Sequence, residues 1–268
     1  MSLVGVDLPL HAERGRYRKV VEHVKFGERE LGGLITTHKI DLFEACRDLF
    51  DEVDEYADLC GETSLLAKRS GRLLAGASDP ISSGRSLAEF YPAGGAGEVL
   101  CIGGGGSATA ITVHLLQRRL APRITVVSRT APRLEAMREI HQKLDSDLVV
   151  RYVENSDATV NDRLVSALPP GSLVINATGM GKDRPGSPIT NAAVFPERGY
   201  AWDFNYRGEL EFLRQARRQA DGRGLHVEDG WRYFIHGWAV VMEQVFQIEI
   251  GPSLVARLSE VSEPERPN

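Results

Sequence analysis

Short apolar runs alternate with segments of wider, helix-like spacing along the chain. "LVGVDLPL" (3–10) and "LGGLITT" (31–37) read as strands, each followed by a helical pattern. In the second unit of this pattern, Leu34 and Ile35 mark the end of a buried strand. Ile40, Phe43, Ala45 and Cys46 mark the inner face of the helix that follows. "SLLAKRSGRLLAGAS" reads as a hairpin turning at Ser70-Gly71. "DPISSGRSLAEFY" reads as a short helix, and Pro92 to Gly97 as a Pro/Gly-rich break. Beyond it, "EVLCI", "RITVVSR", "DLVVRYVE", "SLVINAT" and "YAWDFNY" read as strands. "SATAITVHLLQRRL" and "RLEAMREIHQKL" read as helices between the first three. "DGWRYFIHGWAVVMEQVFQIEI" reads as a long apolar helix, and the polar tail "SEVSEPERPN" as frayed.

Strands alternating with helices predict an α/β protein with a Rossmann-type, doubly wound parallel sheet. That sheet is expected over 92–222. A smaller α/β substrate domain is expected from 1–91, rejoined by the C-terminal helix at 223–268, with a cleft between the two. The length of 268 residues suits one large or two small domains. Hydrophobic residues at 42% and charged residues at 26% supply an ordinary globular core. A net charge of -5 argues against a nucleic-acid partner, which calls for a basic surplus. No apolar run is long enough to span a bilayer, and no export signal is evident, so a cytoplasmic protein is expected. Cys46, Cys60 and Cys101 are odd in number and lack metal-ligand spacing. They are expected to be reduced, with no metal site.

"CIGGGGSATA" sets Gly103, Gly104, Gly105 and Gly106 between a strand and a helix. A pyrophosphate there would meet free backbone N–H groups and the positive end of the helix dipole. The strand–loop–helix–strand setting is the context that gives such a loop meaning. The next strand end discriminates between cofactors. A site for NAD carries an acid there, whereas "VVSRTAPR" has Arg129 and Thr130, with Arg133 one helical turn on. Two guanidinium groups and a hydroxyl suit a 2′-phosphate, so NADP is expected.

With these pieces together, the chain resembles the shikimate/quinate dehydrogenase family from about Val4 to Phe246. "GGGGSA", including Ser107, looks like the family's Gly-Ala-Gly-Gly-Ala-Ala loop. "SRTAPR", beginning at Ser128, looks like its Asn-Arg-Thr-x-x-Arg cofactor motif. "VINATGMG" looks like the strand end beside the nicotinamide, which implies contacts from Asn176, Ala177, Thr178, Gly179 and Met180. "WDFNY" resembles Asp-x-x-Tyr, ending at Tyr206. "ITTHK" resembles Thr-x-Pro-x-Lys, and "GRLLAGASD" resembles Gly-Arg-Leu-x-Gly-x-Asn-Thr-Asp. The resemblance implies that Lys39 and Asp79 are the catalytic pair, facing the cleft. It further implies a small-molecule substrate and a monomer or homodimer. Oxidising an alcohol removes a hydride and a proton, and a positioned lysine can take the proton.

The departures from the family cluster in the substrate site. "VGVDLPL" looks like the family's second strand, so the preceding Ser-x-Ser turn, which holds the shikimate carboxylate, is expected to be missing. The family's Thr and Pro before the lysine align with Ile35 and Thr37. Its Asn residues align with Thr63 or Ser64 and with Ala77, and its substrate Gln aligns with Gly237. The Pro and Thr after Asp-x-x-Tyr become Gly208 and Glu211. Each unpartnered buried polar group costs about 1–3 kcal/mol, so shikimate is expected to bind poorly. Thr37, Thr63, Tyr206 and His236, with Glu62 and His38, are the polar groups expected near a different substrate, although His38 and His236 read first as ordinary surface or helix-packing histidines. The readings are therefore an NADP-dependent oxidoreductase acting on a non-shikimate polar substrate, a true shikimate or quinate dehydrogenase, or a catalytically silent NADP-binding regulator.

Overall fold

The computed structural model describes residues 2–92 and 97–266. The chain divides into two compact units. One runs to Ser78 and includes Trp238–Ile250; the other comprises Asp79–Gly237 and the residues from Gly251 on.

In the first unit the expected strand over 3–10 does not form. Leu3, Val4, Val6 and Leu10 are exposed, and from the stretch before α1 only Leu8 and Ala12 reach the core. Alternation makes a strand only where a partner satisfies its backbone, and among the described residues none pairs with it. The elements that do form are α1 (Arg14–Phe26), β1 (Gly32–Leu34), α2 (Lys39–Cys46), β2 (Glu52–Val53), α3 (Glu55–Cys60), β3 (Leu65–Arg69) and β4 (Arg72–Gly76). The sheet order is β1-β3-β4-β2, with β2 parallel to β4 and the other pairs antiparallel. The hairpin turns where expected. Ser70 and Gly71 both have positive φ (49° and 77°), the pattern that matches strand twist in a two-residue turn.

Alternate residues of β3 serve opposite faces. Leu66 joins Tyr17, Val21, Leu42 and Cys46 beneath α1 and α2, while Leu65 and Ala67 meet Val241. The expected inner face of α2 is corrected at one position. Ile40 is 51% exposed and Leu42 is buried with Phe43, Ala45 and Cys46. The helix starts at Lys39, and packing against α1 turns Leu42, Ala45 and Cys46 inward together.

The second unit contains α4 (Asp79–Phe90), β5 (Val99–Ile102), α5 (Gly106–Arg118), β6 (Arg123–Ser128), α6 (Ala131–Gln142), β7 (Val149–Glu154), α7 (Ala158–Ser166), β8 (Leu173–Asn176) and β9 (Tyr200–Asp203). It continues through α8 (Glu211–Arg217), α9 (Ala220–Arg223), β10 (His226–Glu228), the first part of α10 (Trp231–Phe246) and α11 (Pro252–Ser262). Within the expected Pro92–Gly97 break, residues 93–96 lie outside the described residues. The unit begins before that break, at Asp79. There α4 lies so close to α5 that a side chain at Gly84 would meet the His114 ring.

The sheet has six strands, ordered β10-β9-β8-β5-β6-β7, and every pair is parallel. This is the expected doubly wound architecture. Val99 and Cys101 face a core shared with Ile111 and Leu115 of α5 and Met137 of α6. Leu100 and Ile102 face the opposite core, with Val165 of α7 and Phe212 of α8. Burial on both faces is why these strands are continuous apolar runs. The C-terminal segment is not frayed as expected: α11 runs to Ser262, and Arg266 bonds Asp229 at 2.5 Å and lies over the Trp231 ring. Residues 267–268 of that tail lie outside the described residues. Among the described residues, no helix is long and apolar enough to cross a membrane.

Phe212 is fully buried and meets Phe195 edge-on at 5.7 Å. Phe212→Ala is expected to cost about 3–5 kcal/mol through lost burial and a residual cavity. Urea denaturation followed by circular dichroism reads this loss.

Candidate functional site

β5 and β8 are neighbours in register, with Ile102 opposite Asn176. The two chains leave the sheet together and almost touch. Gly103 has φ +143°, and a Cβ there would stand 2.5 Å from the Ala177 carbonyl oxygen. A Cβ at Gly104 would meet Ser128 Oγ at 2.5 Å. Glycine at both positions lets the loop lie flat on the strand ends. Gly105 then caps α5 in an extended conformation, with no side-chain hydrogen bond to the helix. The first N–H groups of α5 therefore lack a side-chain partner.

A cavity of about 290 Å³ opens at these strand ends, wholly within the second unit. Of the residues expected to hold a cofactor, Gly103, Gly104, Gly105, Ser128, Arg129, Thr130, Arg133, Ala177, Thr178, Gly179 and Met180 line it. Gly106 and Ser107 form the first turn of α5 beside it, and Asn176 lies beneath it, fully buried. Sequence reading missed Asn155, Ser156, Ala158, Asn161, Arg184, Ser187 and Pro188, which complete the lining together with the strand residues Ile102 and Val127. The available signal was positional: in a parallel sheet every loop after a strand's carboxyl end faces the ligand crevice. "NSDA" follows β7 and "GKDRPGSP" lies in the loop after β8. Arg129, Arg133 and Arg184 are all exposed on this cavity, and none makes an ion pair among the described residues.

A buried polar hub holds the β8 side of the cavity. Asn176 Nδ2 donates to Asp203 Oδ1 at 3.0 Å, and Asn176 Oδ1 accepts from the Thr178 N–H and hydroxyl at 3.1 and 2.6 Å. Asn205 Nδ2 donates to Asp203 Oδ1 and to the carbonyls of Thr178 and Met180 at 2.9, 3.0 and 3.0 Å. Its backbone N–H also donates to Asp203 Oδ1, at 3.0 Å. Asp203 Oδ2 is buried without a partner. Burial pushes the Asp203 carboxyl up to about 7, outweighing the hydrogen bonds that favour its charged form.

The remaining candidates divide between the units. In the first, Lys39 is the half-buried first residue of α2, and its carbonyl accepts the Thr63 N–H at 3.2 Å. Thr63 is fully buried and its hydroxyl donates to the carbonyls of Leu65 and Gly76, so that hydroxyl serves the β3–β4 pair. Thr37 is exposed. His38, before Lys39, lies 3.1 Å from the Tyr17 hydroxyl. In the second unit, Asp79 is buried at the start of α4, where its carbonyl accepts the Ser83 hydroxyl at 2.7 Å. The Tyr206 ring packs on Trp231 and Phe234. His236 is buried, with Nε2 at 2.9 Å from Glu89, which Arg232 also grips through two nitrogens at 2.8 and 2.6 Å. Burial pushes the Glu89 carboxyl up, and the bonds from His236 and Arg232 more than reverse this, holding it at about 2. His236 Nε2 is thus taken up by Glu89, which Arg232 also holds.

No family model matches the chain. In sequence it is 26% identical over 253 residues to the shikimate dehydrogenase (NADP(+)) of Streptococcus gordonii, covering 93% of this chain and 82% of that protein. In fold it is similar to shikimate 5-dehydrogenase from Thermus thermophilus, solved with NADP(H) and shikimate. The TM-score there is 0.70 at 24% identity, over 96% of this chain and 86% of the other. It is also similar to the 5-ketofructose reductase of Gluconobacter sp. strain CHM43, with TM-score 0.68 at 20% identity over 93% and 84%. The resemblance read from the motifs is borne out: the chain is shikimate dehydrogenase-like in sequence and in fold.

The raised Asp203 pKa makes this group's contribution to stability depend on pH. The folded protein holds a proton that the unfolded chain releases near the ordinary carboxylate range, so this group's stabilising contribution is full at low pH and is lost as pH rises through about 7. Asp203→Asn keeps an oxygen acceptor and removes the titration. The melting temperature of the variant minus that of the unmodified protein is expected to rise between about pH 4 and 7, as read by thermal denaturation across that range.

Proposed function

We propose that the protein is an NADP-dependent oxidoreductase, moving a hydride between the nicotinamide and a hydroxyl or carbonyl group of a small polar substrate other than shikimate. The observation that carries this reading is the cavity where the two close-approach glycines, the uncapped start of α5 and Arg129 with Arg133 meet. Backbone N–H groups at a helix start suit a pyrophosphate. The arginines stand where an acid would otherwise hold the ribose hydroxyls, and they suit a 2′-phosphate. NADP, when bound, supplies the hydride acceptor or donor. Asn176, Asp203 and Asn205 fix the Ala177–Met180 segment, which would help to hold the nicotinamide.

Lys39 is assigned the proton: on oxidation it takes the hydroxyl proton as the hydride leaves, and on reduction it returns it. Asp79 is assigned as the acid of the catalytic pair by the match of its motif. Support comes from the match of both residues to the family motifs and from the fixed backbone of Lys39, whose carbonyl is tied to Thr63. Substrate choice rests on the family anchors replaced at Ile35, Thr37, Ala77 and Gly237. A fold shared with a reductase named for 5-ketofructose is compatible with that choice, since one fold serves several substrates. The curated relatives' name favours shikimate itself as the second reading.

Fluorescence titration with NADPH and NADH tests the cofactor, and NADPH absorbance across cyclic polyols, hydroxy acids, shikimate and quinate tests the substrate. NADPH is expected to bind more tightly than NADH, with Arg129→Asp weakening NADPH and sparing NADH. Equal affinities in the unmodified protein would remove the NADP assignment. Efficient shikimate turnover would favour the second reading. Lys39→Ala is expected to lower turnover by ~10²–10⁴-fold while leaving NADPH affinity unchanged. Retained turnover would remove Lys39 from the chemistry.

A further inference from the structure

Three guanidinium groups border one cavity, but they come from two sides of β5. Arg129 follows β6 and Arg133 lies in the first turn of α6. Arg184 comes from the loop after β8, the other neighbour of β5. Its backbone is pinned: its N–H donates to the Gly179 carbonyl at 3.1 Å, and its carbonyl accepts the Gly181 N–H at 2.7 Å. Met180 and Arg184 form a β-bridge there. Nearby Lys182 is neutralised by Asp183 at 3.2 Å, whereas Arg184 has no carboxylate partner among the described residues. An exposed, unneutralised arginine on a fixed backbone at the rim of an anion-binding loop is placed to bind phosphate.

We propose that Arg184 binds the pyrophosphate of the dinucleotide, a task separate from that of Arg129 and Arg133 at the ribose phosphate. The proposal rests on the dinucleotide reading given above. An anion seated on Gly103–Gly105 at the start of α5 lies at the end of β5. Arg129 and Arg133 border that position from the β6 side, and Arg184 borders it from the β8 side. The loop after β8 thereby closes a two-sided clamp on the dinucleotide. Every adenine nucleotide that carries a pyrophosphate would engage Arg184, with or without a 2′-phosphate.

The test measures dissociation constants of NADPH, NADH and ADP by fluorescence or calorimetry for Arg184→Gln, Arg129→Gln and the unmodified protein. Arg151, exposed on β7 and outside the cavity lining, provides Arg151→Gln as a control with unchanged affinities. Arg184→Gln is expected to weaken all three ligands by a similar factor, on the order of tenfold, as for a lost charge-assisted bond. Arg129→Gln is expected to weaken NADPH alone. Unchanged affinities in Arg184→Gln overturn the proposal. A loss confined to NADPH also overturns it, moving Arg184 to the ribose phosphate. If the unmodified protein binds NADPH and NADH equally while Arg184→Gln weakens both, the role of Arg184 stands and the NADP assignment falls. Absence of any dinucleotide binding overturns both.

Discussion

The approach of Gly103 to the Ala177 carbonyl governs the second unit's strand ends. β5 and β8 run parallel in register, so their chains emerge at the same level and compete for one space. Backbone bonds fix the encounter from both sides: Gly103 N–H donates to the Val127 carbonyl, and Ala177 N–H donates to the Ile102 carbonyl, each at 2.8 Å. With no Cβ on Gly103, α5 can begin directly over the sheet edge. Its first turn, Ser128 and the loop from Ala177 to Met180 then border one cavity. A larger residue at Gly103 would have to displace the backbone at Ala177, because all three opposing atoms are that residue's carbonyl oxygen, carbonyl carbon and Cβ.

The same crowding explains the buried carboxyl at Asp203. Apart from the Met180–Arg184 bridge the loop after β8 forms no helix or strand, so its remaining backbone carbonyls need side-chain donors. Asn205 supplies two of these and Asp203 orients Asn205 in turn. All three donors to Asp203 converge on Oδ1, which leaves Oδ2 buried without a bond. Desolvation therefore outweighs hydrogen bonding at this carboxyl. At Glu89 the balance tips the other way, because Arg232 and His236 bring formal donors to a partly exposed acid.

In the first unit the start of α2 is set by a polar seam between helices. The buried Tyr17 hydroxyl of α1 accepts the Ala12 N–H at 3.1 Å, donates to Asp41 at 3.3 Å and lies beside His38. Burial raises its pKa, which keeps the phenol neutral and able to donate. Lys39 begins its helix from this anchored turn, with the Thr63 N–H on its carbonyl. Its backbone is thus held by α1 on one side and by the strand entry at Thr63 on the other.

Local chemistry was enough to read much of this protein. The strand–glycine–helix order from Val99 to Arg118 and the apolar runs of β5, β6 and β8 identify a parallel sheet, because a strand buried on both faces has no polar alternation. Ser70-Gly71 identifies its hairpin, since two positive-φ positions narrow the choice of residue. The residues at the β6 end, Arg129 to Arg133, likewise carry their chemistry in their types and spacing. Other features depend on partners distant in sequence. Whether "LVGVDLPL" becomes a strand depends on a neighbouring backbone, which it does not find. Whether Ile40 or Leu42 turns inward depends on where α1 lies. His236 reads as a helix-packing histidine or a substrate group, and only Glu89, 147 residues away, decides for the former. Arg184 joins the cavity only because β8 is set beside β5. Periodicity and residue type determine which elements form and what chemistry they carry, but only tertiary packing decides which polar groups are neutralised internally and which remain to meet a ligand.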